Sequence, residues 1–101
     1  MVELSEPVRR KFGDQTAAEI AKPEFNTVIF FEDGNYSYEC RTVSLPRALA
    51  VAKSHTTRPA AVAGITRRVI ITDGGDCIVF EWKFKEGVVW PTKEDMEKWR
   101  G

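Results

Sequence analysis

Residues Thr66 to Phe84 read Thr-Arg-Arg-Val-Ile-Ile-Thr-Asp-Gly-Gly-Asp-Cys-Ile-Val-Phe-Glu-Trp-Lys-Phe, two runs of β-branched and aromatic residues joined by Asp73-Gly74-Gly75-Asp76. A Gly-Gly pair supplies the positive φ angles of a two-residue turn, so the stretch predicts an antiparallel hairpin. With the glycines as the turn, Ile71 faces Ile78, Val69 faces Phe80 and Arg67 faces Trp82. Val69, Ile71, Ile78, Phe80, Trp82 and Phe84 then share one face, while Arg68 stands opposite Glu81 on the other.

The remaining elements fall in around this ribbon. Thr27 to Glu32 and Tyr36 to Thr42 flank Asp33-Gly34, a strong turn dipeptide, and predict a second hairpin. A two-residue loop there pairs Phe31 with Tyr36, Ile29 with Tyr38 and Thr27 with Cys40. A three-residue loop that takes in Asn35 instead joins Phe30 to Tyr38. Ser44-Leu45-Pro46 opens the one long helix, with serine as N-cap and proline in the first turn. Leu45, Ala48, Leu49 and Ala52 follow the i, i+3, i+4, i+7 spacing of a buried stripe. The helix ends before Pro59, and Ala60 to Gly64 add a further turn. Beyond Phe84, Lys85-Glu86-Gly87 turns the chain into a short strand, Val88-Val89-Trp90, closed by Pro91.

The order ββαβββ implies an α+β fold, an antiparallel sheet of four to five strands with the main helix packed on one face. Residues 1–24 form an N-terminal arm, 25–91 the core and 92–101 a helical tail. In the arm, Ser5 before Glu6-Pro7 and Thr16 ahead of Glu19 are helix-start signals, with Val8 and Phe12 spaced for one small apolar face. In the tail, Thr92 precedes Asp95 at capping spacing, and Met96 and Trp99 stand at i, i+3.

A chain of 101 residues has room for one core. Lysine plus arginine equal aspartate plus glutamate at 15 each, so no overall field draws the chain to nucleic acid or to an anionic membrane. No apolar run is long enough to cross a bilayer, and the first residues carry no secretory signal, so the expectation is a cytoplasmic protein. Cys40 and Cys77 match no metal or redox spacing and read as structural thiols.

Several residues have types that can do chemistry. In a two-residue turn Asp73 and Asp76 face each other, and their repulsion is offset by a divalent cation, an arginine or the loop's own N–H groups. His55 lies near the end of the helix, where a protonated imidazole suits the helix dipole. Cys77 and Asp73 can partner it as nucleophile and orienting group by residue type alone. No cofactor is implied. Arg58, Arg67 and Arg68 with Tyr36, Tyr38 or Trp82 have the composition of a single-strand binding platform. The structural alternative pairs Arg68 with Glu81 and lays Arg67 on the Trp82 ring. Trp90, Trp99 and Met96 are residue types that anchor interfaces.

The sheet face away from the helix carries Ile70 and Val79, with Val28 and Phe30 or Ile29 and Phe31, and such a patch needs a lid. Either the terminal arms or a second copy of the chain covers it. The expectation is therefore a non-enzymatic protein-interaction domain that self-associates. The alternatives are a nucleic-acid-binding module and a metal or enzyme site at the Asp73–Asp76 loop.

Thr72-Asp-Gly-Gly-Asp76, followed by Phe80-Glu-Trp82 and Gly87-Val88, resembles a segment of short bacterial proteins without an assigned activity. The likeness covers the last third to half of the chain and implies no ligand. Thr27 to Ser54, a strand, an Asp-Gly turn, an aromatic strand and a Ser-capped helix, is similar in topology to the small antitoxin domains of the HicB type, though the chain has no loop of their proline-leucine-proline-glycine style.

Overall fold

A computed structural model describes residues 8–9 and 17–94. In chain order the elements are β1 (Val8–Arg9), α1 (Ala17–Ala21), β2 (Phe25–Phe31), β3 (Tyr36–Val43), α2 (Leu45–Thr56), α3 (Pro59–Val62), β4 (Thr66–Thr72), β5 (Cys77–Lys83) and β6 (Gly87–Trp90). The fold is α+β, as the element pattern predicts. Across the sheet the strands run β3, β2, β4, β5, and the far side of β5 is shared by β6 and β1. All pairs are antiparallel except β1 with β5.

That exception corrects the reading of the arm, where a helical turn was expected around Val8. β6 pairs only with Glu81, Trp82 and Lys83, so the first residues of β5 keep an open backbone edge. Val8 and Arg9 take it up in parallel with Cys77 and Ile78, because unpaired strand groups demand partners more strongly than two spaced apolar residues demand a helix. The second helix start leads into α1, which lies beside α2. Ser5, Phe12 and Thr16, like Asp95, Met96 and Trp99 of the tail, lie outside the described residues.

The stripe of α2 packs on Phe25, Ile29, Val69, Ile71 and Phe80. Ala48 and Ala52 are fully buried, and their small side chains let the helix approach the strands closely. The Thr27 hydroxyl donates to the Ala48 carbonyl at 2.9 Å, so the polar group in this core is satisfied while it ties β2 to the helix. Ser44 has the extended backbone of an N-cap and its carbonyl accepts the Ala48 N–H, but its hydroxyl does not cap the helix.

Both hairpin registers depart from a two-residue turn. Val69 stands opposite Trp82, Ile71 opposite Phe80 and Arg68 opposite Lys83, and Val79 is an extra, bulged residue. The shift is by two through most of the ladder, so Val69, Ile71, Phe80 and Trp82 keep the helix face, whereas the bulge sends Ile78 to the other side. In the first hairpin Phe30 pairs with Tyr36, Val28 with Tyr38 and Thr27 with Cys40, leaving Glu39 as the extra residue. A second irregularity puts Thr42 at φ 52, its N–H held at 3.0 Å by the Asn26 side chain. Cys40 and Cys77 sit on β3 and β5 with β2 and β4 between them. Three strand spacings, about 14 Å, are too far for a disulfide.

Candidate functional site

The face of the sheet turned away from α2 has its own small core, Val28, Ile70 and Ile78, covered by Phe30, Tyr36, Tyr38 and Trp90. These aromatic residues arise from the strand period: Tyr36 and Tyr38 alternate on β3, and Phe30 pairs with Tyr36 from β2. The Phe30 and Tyr36 ring centroids are 5.9 Å apart, and those of Tyr36 and Tyr38 are 6.1 Å apart in an edge-to-face arrangement. A guanidinium closes each end of the row. Arg68 lies 5.1 Å above Phe30, and Arg41 lies 4.1 Å above Tyr38. The result is a continuous line, Arg68, Phe30, Tyr36, Tyr38, Arg41, crossing three strands.

Beside the row lies Glu81, only 1% exposed, whose Oε2 accepts the Arg68 Nε–H at 2.6 Å. This pair was expected directly across the ladder. It forms instead on the diagonal, because Lys83 occupies the position opposite Arg68. A carboxylate this deep needs its cation, and Arg68 supplies it while remaining 33% exposed. That bond uses one of the five Arg68 N–H groups; the other four, and all five of Arg41, have no protein acceptor among the described residues.

The other candidate residues fall in different places. Trp90 joins the far face through β6, opposite Glu81. Arg67 does not join Arg68: it lies 5.1 Å over Phe84, not over Trp82, and Phe84 packs on Gly64 just after α3. The cause is a bulge at Arg67, since Phe30 pairs with Arg68 and Phe31 with Thr66. Trp82 faces the helix core. Trp99 is outside the described residues.

Asp73 is 2% exposed, and its Oδ1 accepts the N–H groups of Gly75 at 2.9 Å and Cys77 at 3.0 Å. Asp76 is exposed. The two carboxylates therefore do not face each other, since Asp73 is paired with Cys77 across a three-residue loop. The described residues include no group of three or more histidine, cysteine, aspartate or glutamate side chains arranged to hold a metal ion. His55 is buried with its Nε2 3.4 Å from the Glu39 carboxylate. Burial, with Arg58 adding to it, holds the imidazole below its ordinary pKa although Glu39 opposes this, so the ring is biased to its neutral form and not to the charged form suited to the helix dipole. The Cys77 sulfur meets the Gly75 carbonyl at 3.8 Å. No contact joins His55 to Cys77 or Asp73 among the interactions of the described residues.

Phe30 and Arg41 were missed as site residues. The signal for Phe30 was its even number with Val28, but Arg41 reaches the Tyr38 side only because Glu39 bulges, which no side-chain pattern announces. Comparisons with protein-family models, with curated proteins and with solved structures return no match.

Proposed function

We propose that the chain is a non-enzymatic interaction domain whose working surface is the sheet face opposite α2. The observation that carries this reading is the row of three aromatic rings ended by two guanidinium groups. Aromatic and arginine side chains are the types that dominate binding surfaces, because they contribute area, stacking and directed donors together. Self-association is not needed to cover the apolar centre, since Val28, Ile70 and Ile78 are already buried within one chain.

The test is photo-crosslinking in cells that make the protein, with p-benzoylphenylalanine in place of Tyr38 and, separately, of exposed Lys53 on α2. Adducts at position 38 in excess of those at 53 are expected. Equal or absent adducts at the two positions would remove the assignment of the working face. A covalent dimer at position 38 would restore the second copy as the partner.

A further inference from the structure

We infer that the partner of this face is single-stranded nucleic acid, an inference that rests on the preceding assignment of the working surface. Every base has a flat π-face, so a row of rings on a sheet stacks bases without reading their sequence, and arginine forks seek the phosphates between them. Phe30, Tyr36 and Tyr38 supply the row. Arg41 and Arg68, each already laid over a ring at the ends of it, hold their guanidinium planes where stacking and phosphate bonding are both available.

Charge points the same way. Although the chain is neutral as a whole, this face brings Arg41, Arg68 and Lys83 together around the buried Glu81 carboxylate. Arg68 and Lys83 stand directly opposite on neighbouring strands, an unfavourable placement for like charges that one buried carboxylate only partly offsets. An anion relieves it. A second copy of the chain does the reverse, because a two-fold contact brings the same cations against each other. An acidic peptide satisfies the charges but brings no flat ring to stack along the row, so nucleic acid fits more of the site. Single strands fit better than duplex, whose bases are stacked away from a sheet surface.

The experiment is anisotropy of a labelled oligothymidylate of about 20 nucleotides, longer than the site of a small domain. Saturable binding that weakens with salt is expected. Arg41→Ala should weaken it about fivefold and lower the salt slope by about one. Tyr38→Leu, which keeps apolar cover over Val28, should weaken it about tenfold. Arg67→Ala, on the Phe84 side, should leave it unchanged. Absence of saturable binding, equal affinity for a duplex of the same length, or an Arg67→Ala loss matching that of Arg41→Ala would overturn the inference. The crosslink at position 38 separates the two levels. A nuclease-sensitive adduct supports nucleic acid, an adduct removed only by protease overturns it while keeping the working face, and no adduct removes both.

Discussion

The two hairpins close with the same turn built from different residues. In the first, Phe31 N–H bonds the Asn35 carbonyl at 2.8 Å and Gly34 N–H returns to Phe31 at 3.0 Å. In the second, Asp73 N–H bonds the Cys77 carbonyl at 3.0 Å and Asp76 N–H returns to Asp73 at 3.2 Å. Each is a three-residue loop whose last residue is left-handed, Gly34 at φ 88 and Asp76 at φ 59. Glycine thus stands where the conformation requires it in one hairpin and not in the other. Gly74 and Gly75 have no positive φ, and a Cβ at Gly74 would meet only the Glu24 carboxylate at 3.0 Å, the movable end of a flexible side chain. A glycine pair marks a turn without saying which of its residues bends, and loop length decides that.

The largest difference between the turns lies in their aspartates. Asp73→Ala should cost about 3 kcal/mol, because two charge-assisted bonds in a buried site are lost together. Asp33 also accepts a backbone N–H, that of Asn35 at 2.9 Å, and this bond holds its carboxyl below the usual range, but the group is in water. Asp33→Ala should leave the midpoint of a urea titration nearly unchanged, whereas Asp73→Ala should lower it clearly.

Next come the two left-handed positions. Gly34→Val and Asp76→Val should each lose about 2 kcal/mol, since a β-branched side chain is strained at positive φ. Gly75→Ala, in contrast, should leave the urea midpoint unchanged or raise it slightly, because its Cβ would meet Asp73 Oδ1 at an ordinary 3.5 Å. A loss of more than about 1 kcal/mol there would restore the two-residue turn.

The smallest effect concerns the bulged residue of the first hairpin, Glu39, through His55. The pKa of His55 is lowered from 6.5 in the folded chain, so the unfolded chain binds this proton at higher pH. The stability due to neutral His55 is complete above that value and is lost as pH falls through the folded-state pKa. His55→Gln should flatten melting temperature against pH in this range, and an unchanged slope would place the responsible group elsewhere.

The sequence showed the fold more clearly than the site, and for a physical reason. Hydrophobic period and turn residues identify strands and faces, so the hairpins, the alanine stripe of α2 and the helix-facing set Val69, Ile71, Phe80 and Trp82 were readable. A shift of two residues leaves faces intact but changes every partner, so Arg68 came to stand opposite Lys83. Bulges at Glu39, Arg67 and Val79 then moved single side chains without altering the pattern around them. The site is where such displacements concentrate: Arg41 enters it and Arg67 leaves it. Arg67 and Arg68, adjacent in sequence, parted because the backbone between Thr66 and Arg68 holds one residue more than β2 does.

The most direct test of the working face is a nuclear magnetic resonance titration of the isotope-labelled protein with oligothymidylate, reading side-chain as well as amide signals. The structure predicts that the rings of Phe30, Tyr36 and Tyr38 and the guanidinium signals of Arg41 and Arg68 shift together, while Arg58, Arg67 and the exposed side of α2 stay in place. Shifts centred on Arg58, Arg67 and Phe84 with the row unmoved would contradict it.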